Sequence, residues 1–237
     1  VCYFINDKFH IVKDLGNYNI SSSISIINGN IVFGNKVYHA NDSNIFISNI
    51  KRLIGYNYDE LTTEYYSKLP FNIHNYNNVI KIEDYTIDEL FMMYLDYLKK
   101  IIDREVSNYE AIITVPAYFN IKQKNIIKKC AESVGFTVQK LLNEPTSAAL
   151  AYGKYMRVVN DASVMVFDLG GGTLDISILN ISNDDDIYEV VYTWGHNIGG
   201  SDLTYKIIDY LKTKCDISNN NVFKYVDDMK IKLNGGS

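Results

Sequence analysis

One segment limits what this chain can become more than any other. An apolar run, Val164-Met165-Val166-Phe167, leads into Asp168-Leu169, three consecutive glycines and Thr173, and a second apolar run starts at Leu174. Short runs rich in β-branched and aromatic residues read as strands, so the glycines make the turn between two strands. Glycine adopts dihedrals that other residues avoid and puts no Cβ in the way of a ligand. Successive N–H groups in such a turn can form a concavity for an anion. Gly170, Gly171 and Gly172 are therefore a candidate phosphate cradle. Thr173 adds a hydroxyl, and Asp168 can hold a hydrated Mg2+ or position water. No Gly-Lys-Ser/Thr follows, so this is not a P-loop; the glycines are adjacent and a strand follows, so it is not a dinucleotide fingerprint. A plain turn is the alternative reading, and Asp168 before with Thr173-Leu174-Asp175 after favours phosphate.

A second signal is Leu142-Asn143-Glu144-Pro145-Thr146, continued by Ser147-Ala148-Ala149-Leu150-Ala151-Tyr152-Gly153. Pro145 suits a first helical turn. Ser147, Ala148, Ala149 and Ala151 would let the helix approach a neighbour closely. Glu144, where a strand meets this helix, either compensates the helix dipole or reaches the nucleotide cleft beside the metal's waters.

Around these motifs the chain reads as α/β. Hairpins are expected at Val1–Ile5 with His10–Val12, and at Ser23–Ile27 with Ile31–Phe33 across Asn28-Gly29. Helical character is expected at Ile45–Ile54 and Asp59–Leu69, with Pro70 as a stop, then strands near Phe71–Ile73 and Val79–Ile82. Thr86–Val106 is the clearest helix, with a Thr86/Glu89 capping box and an apolar stripe through Ile87, Leu90, Phe91, Tyr94, Leu95, Leu98, Ile101 and Ile102. Strands follow at Ala111–Val115, Thr137–Leu141, Val164–Phe167, Leu174–Leu179 and Ile187–Trp194. Helices are expected at Ile121–Val134, Glu144–Tyr152, Asp202–Thr213 and Val222–Leu233. Loops are expected at Asn75–Asn78, Asp184–Asp186 and Asn219–Asn221.

Composition removes several function classes. A net charge of −5 argues against general nucleic-acid binding, which needs clustered Lys and Arg. No apolar run reaches the ~18 residues of a membrane span. Cys2, Cys130 and Cys215 lack ligand or CxxC spacing and read as reduced thiols of a cytoplasmic protein. The four histidines also lack ligand spacing and read as structural or surface residues.

Several pieces, in this order, resemble the heat-shock protein 70 chaperones: Lys51-Arg52-Leu53-Ile54-Gly55, Val115-Pro116-Ala117-Tyr118-Phe119, Asn143-Glu144-Pro145-Thr146, Phe167–Thr173 and Gly199-Gly200-Ser201-Asp202. The resemblance implies an actin-like (ribonuclease H-like) ATPase fold that binds ATP or ADP with Mg2+ between two lobes. The first lobe is expected over 1–157 and an incomplete second over 158–237. It implies Lys51, Glu144, Asp168 and Thr173 as catalytic, with Asp168 and Glu144 holding Mg2+ through water. Gly170, Gly171, Gly172, Gly199, Gly200 and, more loosely, Lys230 with Asp227 and Asn234 would bind nucleotide. Pro116 matches the family's switch between nucleotide state and substrate domain. Its partner position carries Lys124 where the family usually has arginine, so the charge is kept but the bidentate fork is lost.

The resemblance also has gaps. The family's first phosphate loop, Asp-x-Gly-Thr-Thr, has no counterpart, and its last nucleotide loop and peptide-binding domain are missing too. The expectation is a chain truncated at both ends that hydrolyses ATP only when complete. Ser201-Asp202-Leu203-Thr204 and the short stretch up to Asp227 resemble the diverged homologues of closteroviruses, which serve virion assembly and movement between cells. A diverged cellular chaperone is the competing reading. Protein clients or assembly partners and co-chaperones are the implied partners, in the host cytoplasm for a viral chain. A catalytically weak assembly protein, or a sugar kinase or actin relative on the same fold, is the rival from another class.

Overall fold

The computed structural model describes residues 1–39, 45–66, 69–156, 161–182, 187–216 and 222–233. By internal packing the chain forms two compact units, each assembled from separate segments. One comprises Val1–Tyr109, Lys129–Thr137 and Thr204–Ser237; the other comprises Glu110–Lys128 and Val138–Leu203. The expected lobe boundary at 157 and 158 lies outside the described residues, as do the loops expected at 184–186 and 219–221, and Asn234.

The first unit is built on hairpins whose turns are written in asparagine. β1 (Cys2–Ile5) pairs with β2 (Lys8–Ile11) across Asn6-Asp7, and β3 (Ile24–Ile27) with β4 (Asn30–Phe33) across Asn28-Gly29. Both residues of each turn have positive φ: 50° and 58°, then 49° and 79°. Such two-residue turns match the twist of the flanking strands, and Asn, Asp and Gly tolerate the left-handed region. A third hairpin joins β6 (His74–Tyr76) to β7 (Val79–Ile82) across Asn77-Asn78, with φ of 50° and 68°. The loop expected at Asn75–Asn78 is thus a strand end and a tight turn. Phe71–Ile73 is not a strand.

The helix expected over Ile45–Ile54 is replaced by two other elements. Ile45–Ile47 is strand β5, paired with β3, and Ile50–Leu53 is a 3-10 turn entered through Asn49 at φ 56°. Ile-Phe-Ile suits a pleated edge, and the pairing comes from residues 19 to 23 positions earlier in the chain, beyond the reach of a local periodicity. Among its described residues Asp59–Leu69 likewise holds only a 3-10 turn, Tyr58–Glu60, and the short α2 (Thr63–Tyr66); a four-residue α1 (Lys36–His39) precedes β5. Val37, Phe46, Ile208, Phe223 and Val226 form one apolar cluster here, with Phe46 and Phe223 stacked at 6.2 Å between ring centroids.

β8 (Tyr85–Thr86) leads into α3 (Ile87–Ile102), which ends four residues before the expected Val106. Thr86 caps it: Glu89 N–H donates to the Thr86 hydroxyl at 3.2 Å, and Thr86 N–H donates back to the Glu89 carboxylate at 2.8 Å. Ile87, Leu90, Tyr94, Leu95 and Ile101 are buried, while Phe91, Leu98 and Ile102 are half-buried. Hydrogen bonds from the Thr86 backbone, then from its hydroxyl, hold the Glu89 carboxyl below its ordinary 4.5. A depressed carboxylate stabilises above its unfolded value and loses that contribution as pH falls through the folded one. Thr86→Ala is therefore expected to cost about 1 kcal/mol at pH 7 and less at pH 3. Urea melts of parent and variant at the two pH values check this.

The second unit holds a parallel pair and an antiparallel meander. β9 (Ala111–Val115) and β10 (Val138–Asn143) are parallel and joined through α4 (Ile121–Ser133), as a parallel connection requires. Only Val115 of β9 is buried; Ile112 is 58% exposed. Gly135, at φ 90°, ends α4. β11 (Ala162–Leu169), β12 (Leu174–Ser182) and β13 (Ile187–His196) run antiparallel with β12 central. α5 (Glu144–Met156) packs on β9 to β12. Its buried face is Pro145, Ala149 and Gly153, four residues apart, whereas Ala148 and Ala151 face solvent. At Gly153 a Cβ would stand 2.5 Å from the Tyr188 hydroxyl, so the close approach expected of this helix is made there.

Candidate functional site

β11 and β12 stay in register up to Leu169 opposite Leu174, leaving 170–173 as the loop. Gly170 N–H donates to the Thr173 carbonyl at 2.9 Å and closes it. The loop then rests on α6 (Gly200–Lys212). Gly200 N–H donates to the Gly170 carbonyl at 3.0 Å, and Ser201 N–H to the Gly171 carbonyl at 2.8 Å. In a planar trans peptide the C=O and the following N–H point in opposite directions. Carbonyls 170 and 171 point at α6, so the Gly171 and Gly172 amides are turned away from it. A Cβ at Gly171 would meet nothing within 4 Å. The turn is open at Gly171, with the positive end of a helix dipole beneath it.

Gly199 makes this seat. A Cβ there would stand 2.7 Å from Gly170 O, Gly171 C and Gly172 N, all backbone atoms. Asp202 completes the turn by accepting the Gly199 N–H at 2.8 Å, which suits a carboxylate in a helix's first turn. Thr173 is 8% exposed at the loop's end. Asp168 is exposed at the end of β11, opposite Asp175 and on the same face of the sheet. An exposed carboxylate two residues before the glycines is a hard oxygen donor of the kind Mg2+ takes.

The family model for Hsp70 protein matches residues 6–231. The chain belongs to the Hsp70 family. It is 38% identical over 188 residues to the chaperone protein HscA of Buchnera aphidicola subsp. Baizongia pistaciae (strain Bp), an alignment covering 75% of this chain and 35% of that protein. The chain therefore spans about a third of the length of this curated relative. The Hsp70 domain carries the actin-like ATPase fold, and the α/β architecture seen here agrees with it.

The other expected site residues fall as follows. Glu144 is the first residue of α5 and is half-buried. Pro116 is buried just after β9, and Lys124 on α4 donates to the Asn143 side chain at 3.2 Å, one residue before Glu144. Gly170, Gly171, Gly172, Thr173, Gly199 and Gly200 come together in the second unit. Lys51 lies in the first unit, half-buried in the 3-10 turn between buried Ile50, Arg52 and Leu53. Lys230, on α7 (Val222–Leu233) in the first unit, donates to Asp227 at 2.6 Å and to buried Thr204 at 2.8 Å.

Asp175 follows the loop on β12. It is fully buried, and its Oδ1 accepts the Ala117 N–H at 2.9 Å. The signal is present in Thr173-Leu174-Asp175, where an acid stands between Leu174 and Ile176. The cysteines are free, as expected. Burial, then the Asp88 charge, pushes the Cys130 thiol up to about 11, which makes it unreactive. Among the described residues no group of three His, Cys, Asp or Glu could hold a metal directly, and no helix is long and apolar enough to cross a membrane.

Proposed function

We propose that this chain is the nucleotide-binding part of an Hsp70-type chaperone that binds and hydrolyses Mg-ATP and passes its nucleotide state on to protein contacts. The observation that carries the reading is the loop 170–173 held on α6 by Gly199, with Gly171 on its open side. In this reading the Gly171 and Gly172 amides take phosphate oxygens, and Thr173 donates its hydroxyl beside them. Asp168 and Glu144 hold Mg2+ through its waters; the metal, when bound, offsets the negative charge on the phosphoryl group. Lys51 approaches the terminal phosphate and orients the attacking water. Such a site works by positioning and electrostatics. Gly199 and Gly200 serve the adenosine side as well as the loop, and Lys230 serves the base. Pro116 and Lys124 link nucleotide state to clients or co-chaperones. A cytoplasmic setting accords with the free thiols.

Calorimetry with Mg-ATP on the full-length protein tests this. Saturable binding, displaced by ADP, is expected. Absence of binding overturns the reading, and transfer of phosphate to a small sugar would replace it with a kinase. A second reading, the plant-virus branch with its role in virion assembly and movement, is favoured by Ser201-Asp202-Leu203-Thr204 and the short stretch up to Asp227. The complete reading frame separates the two: a full peptide-binding domain with a lid marks the cellular branch, and a short diverged tail the viral one.

A further inference from the structure

The end of α3 borders a polar cavity of about 290 Å3, lined wholly by residues of the first unit. Two helices finish there: Asp103 follows the last residue of α3, and Gly135 closes α4. Helix C-termini carry partial negative charge and favour a cation. Here the cation is built in. The Lys99 ammonium donates to both Asp103 oxygens, at 3.0 and 2.8 Å, and the Tyr109 hydroxyl donates to Asp103 Oδ1 at 2.7 Å. The bond to Asp103 holds the lysine above its ordinary 10.5. The bonds from Lys99, then Tyr109, hold the carboxyl below its ordinary 3.8, so both groups stay charged at neutral pH. Gly135 lets the lysine lie close: a Cβ there would stand 3.2 Å from Lys99 Cε.

This trio decides what kind of ligand the cavity can take. An added cation would meet Lys99, and an added anion would meet Asp103 and two negative helix ends, so a neutral molecule is favoured. The charged pair also keeps capacity in reserve. The third Lys99 proton has the Tyr109 hydroxyl at 3.5 Å, too long for a strong bond. Asp103 Oδ2 accepts from Lys99 alone among the described residues, and a carboxylate oxygen has room for a second donor. A hydroxyl beside the pair can therefore donate to Asp103 and accept from Lys99 at once. Ser107, Asn108 and Thr137 also line the cavity, and their side chains have no hydrogen-bond partner among the described residues. All three groups both donate and accept. A staple for the end of α3 needs the trio but not a cavity beside it. At ~30 Å3 per water the space holds about ten waters, the size of a monosaccharide. We propose that this cavity binds a small neutral polyol of monosaccharide size, with its hydroxyls on Asp103, Lys99 and Thr137. The inference is independent of the Mg-ATP reading.

Saturation-transfer NMR on the full-length protein without nucleotide tests this. Glucose and inositol are the neutral probes, and glycine and inorganic phosphate the charged ones. Saturable binding of a neutral probe is expected, with a Kd of about 1–10 mM, the range for a ligand of roughly a dozen non-hydrogen atoms. Thr137→Val replaces one hydroxyl by a methyl on an exposed side chain and should weaken binding about fivefold. Asp103→Asn, which turns a charged acceptor neutral, should weaken it about tenfold. Thr137→Val decides the matter alone where Asp103→Asn loosens the end of α3. Both variants binding as tightly as the parent overturn the inference. So does a preference for glycine or phosphate over the neutral probes. No saturable binding of either neutral probe overturns it too, and the trio is then a staple for α3 and nothing more.

Discussion

Gly199→Ala is expected to weaken Mg-ATP binding by about 100-fold, because its methyl has nowhere to go. The Cβ would stand 2.7 Å from three backbone atoms of the loop, and backbone cannot swing aside as the end of a flexible side chain can. Either the loop lifts from α6 or α6 shifts back. Both movements break the bonds from Gly200 and Ser201 to carbonyls 170 and 171, and with them the orientation of the amides. Overpacking of this kind costs about 1–3 kcal/mol of stability, and a site displaced by about 1 Å is enough to lose 100-fold. Gly171→Ala is the comparison. A methyl there meets nothing in the protein, so stability should stay within about 0.5 kcal/mol and any loss of binding comes from the ligand's side. Calorimetry and urea melts on both variants separate the two effects. Gly199→Ala binding Mg-ATP as tightly as the parent would show that the loop does not need its seat.

The sequence reading succeeded where the determinants lie close together in the chain. Thr86 and Glu89 are three residues apart, and each satisfies the other's backbone group, so the start of α3 could be read directly. Asn28-Gly29 specified a hairpin because both residues accept positive φ at low cost. The same chemistry at Asn77-Asn78 went unread as a hairpin, because asparagine-rich stretches are common in this chain. Ile45–Ile54 was misread because a short apolar run fits either period, and the partner that settles it, β3, is distant in sequence.

The site divides along the same line. The three glycines, with Asp168 and Thr173, announce a phosphate turn from within a few residues. What holds that turn comes from 28 residues further on, at Gly199. The small residues of α5 illustrate the intermediate case. Their presence predicted a close approach, but only the packed structure selects Pro145, Ala149 and Gly153 over Ala148 and Ala151.

Lys51→Ala is expected to slow single-turnover hydrolysis of Mg-ATP about 100- to 1,000-fold, the range for removing one preorganised charge stabiliser from a reacting centre. The backbone at this position is fixed by its neighbours: Ile50, Arg52 and Leu53 are 3%, 6% and 0% exposed. The substitution should therefore change stability by less than about 1 kcal/mol, and ATP affinity by much less than the rate. A lysine that acts only on the transition state lowers turnover without releasing the ground-state ligand. Lys51→Arg should not restore the rate, since a planar fork does not replace a compact ammonium. Thr173→Ala should also abolish turnover, and Thr173→Ser should return most of it because the hydroxyl is restored. A full-length parent that binds ATP but does not turn it over, with Lys51→Ala and Thr173→Ala indistinguishable from it, would mean that nucleotide stabilises this protein for assembly. In that event the loop on α6 is a structural ligand site, and the half-buried lysine has no reacting phosphate to serve.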